Sequence, residues 1–253
     1  MGNILSIKDL SVEVKDRMLF HDVTFSLGTG EIVLLSGANG IGKSTLLKSI
    51  LQLEKTGKKI KGEIFIKGFG NTLALSNKDI QRCRSKVAYV AQSDDYAEMR
   101  DVQVRDIISD SEEAGLGKTL SFSEVNDLID KWIPRREDNR RVFDAKSEPA
   151  KFSGGEQRLL SVLSVIATRP KAELMIIDEP LNNLDFNNAR NISNLINKVI
   201  RENPEMALLM ISHCRIFPFI TREIKLSPDG ITEVSGSYEC HSCFGEHDKN
   251  GFY

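Results

Sequence analysis

The chain has 253 residues, of which 40% are hydrophobic, with 34 Lys+Arg against 36 Asp+Glu for a formal net charge of −2. That length allows one large core or two small domains, and the near-neutral balance excludes a bulk electrostatic pull toward nucleic acid or anionic lipid. No apolar run approaches a membrane span, the opening Met1-Gly2-Asn3-Ile4 lacks a secretion signal, and four scattered cysteines fit a reducing compartment, so a cytoplasmic protein is expected.

From Ile4 to Leu27 apolar and polar residues alternate, as in Val12-Glu13-Val14 and Val23-Thr24-Phe25-Ser26-Leu27. Period two predicts half-buried antiparallel strands, with a turn at Lys15-Asp16-Arg17. Glu31 to Ser36 is nearly all apolar, which predicts a short strand covered on both faces. It runs into Gly37-Ala38-Asn39-Gly40-Ile41-Gly42-Lys43-Ser44, followed by Thr45. A glycine, four free positions and Gly-Lys-Ser form the phosphate-loop pattern, and Leu46, Leu47, Ile50, Leu51 and Leu53 behind it recur at helical spacing.

Strand, glycine turn and helix start are what a triphosphate site requires. Glycines let main-chain N–H groups converge on phosphate oxygens, and the helix N-terminus adds its positive end. Lys43 is then placed for the β- and γ-phosphates and the Ser44 hydroxyl for Mg²⁺, so the chain is expected to bind a nucleoside triphosphate.

Downstream, Gly62 to Gly68 reads as a strand bounded by glycines, and Val87 to Ala91 as another ending at Gln92. From Ser93 to about Phe152 the pattern changes: Val104, Ile107 and Ile108, then Val125, Leu128, Ile129 and Trp132, predict a mainly helical insertion into the nucleotide-binding core. Within it, Arg135-Arg136-Glu137-Asp138 reads as a solvated turn. Ser153 is a natural N-cap for a helix ending near Arg169-Pro170. Leu174 to Ile177 predicts a second buried strand, terminated by Asp178-Glu179-Pro180. A helix from about Asn188 to Glu202 and a strand Ala207 to Ile211 deliver Ser212-His213, and two short strands, 222–226 and 231–234, follow.

Residues 236–253 are polar and aperiodic. Cys240-His241-Ser242-Cys243, with His247 beyond, has zinc-like spacing but no second ligand pair, so a loosely packed tail is expected.

Three groups carry chemistry of their own. Asp178, at the C-terminal edge of a buried strand, suits Mg²⁺ held directly or through water. Glu179, one residue on, faces the other side of the backbone, where it can accept a proton from an attacking water. Ser153-Gly154-Gly155 offers bare N–H groups at a helix start, a second phosphate cradle.

These motifs, in this order, resemble the nucleotide-binding domain of the ATP-binding cassette (ABC) family from about Ile4 to Val234. The resemblance rests on the phosphate loop, Gln92 after a strand, Phe152-Ser153-Gly154-Gly155-Glu156, an apolar strand ending in Asp178-Glu179-Pro180, Leu184-Asp185 and Ser212-His213. The fold it implies is α/β: a P-loop NTPase core with a mainly parallel sheet, an N-terminal antiparallel β subdomain and an inserted helical subdomain. The domain would span 1–235, with the helical subdomain at about 93–160 and a tail at 236–253.

By the same resemblance, Gln92 senses Mg²⁺ and the attacking water, His213 contacts the γ-phosphate and holds Glu179, and Ser153 to Gly155 close over ATP held by another subunit. Asp185 lies in the loop crossing between two such sites. The implied protein is an ATPase using ATP and Mg²⁺, working as a homodimer or as a heterodimer with another ABC ATPase. Its integral-membrane transporter subunit is a separate chain, and it sits peripherally at the inner face of the membrane, with no nucleic acid partner.

The sequence departs from the family at Val14, where an aromatic residue usually stacks on adenine; Arg17 and Phe20 lie nearby as substitutes. Phe152 and Glu156 replace the commoner Leu and Gln, and Leu181-Asn182-Asn183 replaces smaller residues, an exchange expected to be tolerated. A soluble ABC ATPase of iron–sulfur cluster assembly is the alternative, since Leu73-Ala74-Leu75-Ser76 and the FSGGE variant are similar to that group.

Overall fold

The computed structural model describes residues 2–54, 57–92, 96, 98–109, 119–136, 138–169, 171–182, 184–212, 217 and 219–234. His213, Cys214 and the tail 236–253 lie outside the described residues.

Strands β1 (Asn3–Val14) and β2 (Arg17–Gly28) form the expected antiparallel hairpin. Lys15 and Asp16 turn it with φ of 49° and 60°, the left-handed pair that matches strand twist in a two-residue hairpin loop. After β3 (Ile32–Gly37) and α1 (Lys43–Ile50), strand β4 (Lys58–Ile66) pairs antiparallel with the other side of β1, and the two-residue β5 (Gly70–Asn71) adds to β4.

Here the glycine-bounded strand expected at 62–68 is corrected, because β4 starts at Lys58 and runs through Gly62. A Cβ at that position would stand 2.5 Å from the Asp9 carbonyl oxygen, and Gly62 has φ of 108°. The β1–β4 register shifts there, between Lys8 and Ser11. Glycine at 62 therefore admits a bulge of β1 inside the strand instead of ending it.

The second sheet has the order β10-β9-β3-β8-β7-β6. Its members are β6 (Ala88–Val90), β7 (Leu174–Asp178), β8 (Ala207–Ile211), β9 (Arg222–Ser227) and β10 (Gly230–Glu233). All pairs are parallel except β9–β10. Both faces are covered, which explains the unbroken apolar runs of β3, β7 and β8. Val33, Leu35, Leu174, Ile176, Leu209 and Ile211 turn toward α1 and the antiparallel sheet, in one core cluster. Their alternates Ile32, Leu34, Met175, Ile177, Leu208 and Met210 join a second cluster with the helical layer.

The helices are α2 (Asn77–Arg84), α3 (Val104–Ser109), α4 (Phe122–Trp132), α5 (Gly154–Thr168) and α6 (Phe186–Glu202). α2 is capped by Ser76 and buries only Ile80 and Cys83, too brief an apolar pattern to register in the sequence. Between Gln92 and Phe152 the described helices are α3, α4 and a 3₁₀ turn at Pro149–Lys151. Its charged turn is fastened by ion pairs, Arg135 to Asp130 at 2.9 Å and Arg136 to Glu156 at 2.8 Å.

Register places the chemistry. Leu35 pairs with Ile211, and Ile211 with Asp178. The loop after β3 and the carboxylate ending β7 thus emerge at the same C-terminal edge, where open α/β sheets bind ligands.

Candidate nucleotide-hydrolysis site

The loop from Gly37 to Gly42 carries the chain from β3 into α1. Gly42 has φ of 105°, and a Cβ on it would lie 3.1 Å from the Phe20 ring and 3.2 Å from Leu19. Gly42 caps α1 without any side-chain bond, and the first turn holds no acidic residue. Its N–H groups are therefore available to an external anion. Lys43 is 7% exposed. Its Nζ folds back to donate to the carbonyls of Gly37 at 2.9 Å and Ala38 at 3.1 Å, two neutral acceptors that a phosphate would outcompete.

Asp178 is fully buried at the end of β7. Its Oδ1 accepts from Ser44 Oγ at 3.1 Å, and Oδ2 has no hydrogen-bond partner among the described residues. Burial pushes its carboxyl above the usual range, opposed by the Ser44 bond. A buried carboxylate oxygen without a partner beside a hydroxyl is a donor set for a small hard cation. Mg²⁺ fits it, because Mg²⁺ takes one or two protein oxygens and completes its shell from phosphates and water.

Glu179 follows in a left-handed turn with φ of 48°, its N–H donating to the Ile211 carbonyl at 2.9 Å. For a side chain this is a costly backbone state, of a kind concentrated at functional sites. The Glu179 carboxylate has partners different from those of Asp178. Its Oε2 accepts from Gln92 Nε2 at 3.0 Å and from Asn182 Nδ2 at 3.1 Å. Gln92, expected as a sensor of metal and water, here holds the carboxylate. Asn182, expected only to be tolerated, is a second donor to it, and nothing in the motif pattern marks it.

Lys43, Ser44, Gln92, Glu179 and Asn182 line one open cleft of about 840 Å³, floored by Asn39, Gly40, Gly42 and Thr45. Its far end is walled by Val14, Arg17, Leu19, Glu54 and Lys58, with no aromatic side chain among the described lining residues. Phe20 is fully buried against Gly42 and cannot serve as a stacking surface, which removes one of the two substitutes for an aromatic at 14. Arg17 remains, exposed on the wall. Glu54 is a firm anion, its carboxyl lowered to about 2 by hydrogen bonds from Lys48 and Lys58.

The predicted residues at the starts of α5 and α6 stand elsewhere. Ser153 caps α5 in a closed capping box with Glu156, and Asp185 caps α6 through a 2.9 Å bond from the Asn188 N–H. Neither they nor Gly154 and Gly155 line the cleft. A Cβ at Gly154 would meet nothing within 4 Å, so the chain's own packing does not require glycine there.

One residue links the two groups, and its role is not visible in the sequence. Arg158 of α5 is buried, and its guanidinium donates to the carbonyls of Ala91, of Asp178 at 2.9 Å and of Pro180 at 3.2 Å. Those carbonyls precede Gln92 and bracket Glu179.

Comparison with known proteins agrees with this geometry. The sequence model of the family described as ABC transporter matches residues 20–182. The energy-coupling factor transporter ATP-binding protein EcfA1 of Streptococcus pneumoniae is 28% identical over 229 residues, 84% of this chain and 72% of that protein. In fold, the chain is similar to CbiO1 of Clostridium perfringens, described as part of the ABC transporter complex cbiONQ, with a TM-score of 0.68 at 18% identity over 92% of this chain and 88% of that one. It is also similar to the dimeric ATP-binding cassette MJ0796 bound to ADP and Pi, with a TM-score of 0.70 at 20% identity over 92% of this chain and all of that one.

Proposed function

This chain belongs to the ABC transporter family, and on that premise we propose that it is an ATP-binding subunit whose ATP hydrolysis drives a separate membrane-embedded transporter chain. The observation that carries the reading is one cleft in which Lys43 and Ser44 face a carboxylate, Glu179, already held by Gln92 and Asn182.

ATP enters with its phosphates over the N-terminus of α1. Lys43 exchanges its two loop carbonyls for phosphate oxygens, and main-chain N–H groups from Gly37 to Thr45 take the rest. Ser44 and Asp178 would hold Mg²⁺, to which family resemblance adds Gln92, and the ion would supply neutralising charge for the phosphates. Glu179 orients a water in line with the γ-phosphorus and accepts its proton, and the bonds from Gln92 and Asn182 keep the carboxylate on that line. His213 is assigned to the γ-phosphate and to Glu179 by family resemblance alone.

The second half of each reaction centre comes from another cassette. Ser153-Gly154-Gly155 form a phosphate-binding helix start outside this chain's own cleft, and Gly154 has open space where an incoming phosphate would sit. In a head-to-tail dimer, of two copies or of this chain with a related ATPase, those residues close over the partner's ATP and Asp185 crosses between the sites. ATP is then the cement of the closed dimer and hydrolysis releases it.

The described helices include none long and apolar enough to cross a membrane. In this role the chain works at the inner membrane face, docked on its partner through the insertion between Gln92 and Phe152. EcfA1 and CbiO1 are both named as transporter components, which favours transport over cluster assembly.

The test is Glu179→Gln. ATP binding is expected to persist while turnover falls about 10²–10⁴-fold. A variant that hydrolyses ATP at near-normal rate removes Glu179 from the role of base. Co-purification with a protein of several membrane spans separates transport from assembly.

A further inference from the structure

The two glycines at the start of α5 have opposite surroundings. A Cβ at Gly154 meets open space, but at Gly155 it would lie 2.3 Å from Cγ and Nδ2 of Asn188. Gly155 sits in ordinary helix, so local backbone geometry does not require glycine; the neighbour does. Asn188 belongs to the first turn of α6, where its N–H donates to Asp185 Oδ1 at 2.9 Å and its Nδ2 to Oδ2 at 2.6 Å. One residue thus holds both oxygens of Asp185 while lying flush on the second residue of α5. Bonds to an ionised carboxylate are among the stronger hydrogen bonds. Both bonds hold the Asp185 carboxyl below the usual carboxylate range, the backbone one foremost.

We infer that Asn188 is a positioning residue that fixes the Asp185 loop to the start of α5, and that glycine stands at 155 to admit it. Ser153, Gly154 and Asp185 are then presented to a second cassette as one rigid face, because neither helix start can shift without breaking the Asp185–Asn188–Gly155 contact. The competing account gives Asn188 only a capping duty, so that removing its side chain would leave the cost of a Cβ at 155 unchanged. This inference rests on the dimer reading above.

The experiment compares four full-length chains, all carrying Glu179→Gln to retain ATP: that chain alone, with Asn188→Ala, with Gly155→Ala, and with both. ATP-driven dimerisation is read by sedimentation, ATP binding by a fluorescent analogue at monomer concentrations, and stability by thermal melting. Asn188→Ala is expected to weaken dimerisation about tenfold through loss of the charged hydrogen bond, with monomer ATP binding intact and the melting midpoint moving less than about 3 °C. Gly155→Ala is expected to lower the melting midpoint, and to leave it unchanged once residue 188 is alanine.

Two results overturn the inference: Asn188→Ala dimerising like the Glu179→Gln parent, or Gly155→Ala lowering the melting midpoint as much with Ala at 188 as with Asn. If the parent itself stays monomeric with ATP, the dimer reading fails instead. The Gly155–Asn188 contact is then still judged by whether the melting cost of Gly155→Ala vanishes when Asn188 is removed.

Discussion

Asp178 carries a charge that the nucleotide-free fold disfavours. It is fully buried, one oxygen rests on Ser44 and the other has no partner among the described residues. Desolvation raises its folded-state pKa above the ordinary 3.8, so the folded chain binds this proton more tightly than the unfolded chain does. Stability is therefore lost as pH rises through 3.8 toward the raised value, and stays lost at neutrality. Asp178→Asn keeps the Ser44 contact and removes the buried charge. It should raise the melting midpoint of nucleotide-free protein at neutral pH by about 2–4 °C, the effect of about 1 kcal/mol in a domain of this size. Below pH 3.8 the gain should shrink, and Mg²⁺-supported hydrolysis should be absent throughout. Calorimetry at two pH values decides it, and an Asn variant less stable at neutrality refutes the argument. At this scale the motifs made Lys43, Ser44, Asp178 and Glu179 legible, because each has a fixed offset from a glycine or a strand end. Asn182 and Asn188 were not, since their roles depend on turns that bring them back to Glu179 and to Gly155.

Among the elements, α5 does two things at once. Its first residues are the phosphate cradle proposed for a second cassette, and one turn later Arg158 reaches the carbonyls of Ala91, Asp178 and Pro180. Movement of the α5 start is thus transmitted to the loops that carry Gln92 and Glu179. Arg158→Ala leaves buried carbonyls with lost partners and should destabilise the chain by about 3 kcal/mol. It should also lower kcat about 10–100-fold by misplacing the base, with ATP affinity nearly unchanged because no phosphate contact is removed. Arg158→Lys, with one donor group in place of a fork, should fall between. Unaltered kcat in a folded Ala variant would detach α5 from the hydrolytic loops. The elements were legible where period and burial agree: β3, β7 and β8 are buried on both faces, and α5 and α6 have long apolar stripes. They were illegible where the rule is tertiary. Gly62 looks like a strand end until Asp9 is seen against it, and α2 has too few buried residues to show a period.

At the scale of the molecule, the predicted site residues fall into two groups that do not meet. One is the cleft with Lys43, Ser44 and Glu179; the other is Ser153 to Gly155 with Asp185. The sequence presented all of these as motifs, but order along a chain cannot say whether they face one another; only the folded arrangement separates them. If each cleft is completed by another copy, a chain with Lys43→Ala and a chain with Gly154→Asp should each be inactive alone, because every site in either homodimer has one damaged half. Mixed in equal amounts, half of the dimers pair unlike chains. Each such dimer has one site with both halves intact, so about a quarter of the wild-type rate should return. The regained rate should fall steeply on dilution, since it depends on an association equilibrium. A mixture as inactive as its components, with wild-type activity per chain constant under dilution of gel-filtration monomers, would mean that one chain completes its own reaction centre, and the face formed by Ser153, Gly154 and Asp185 would need another purpose.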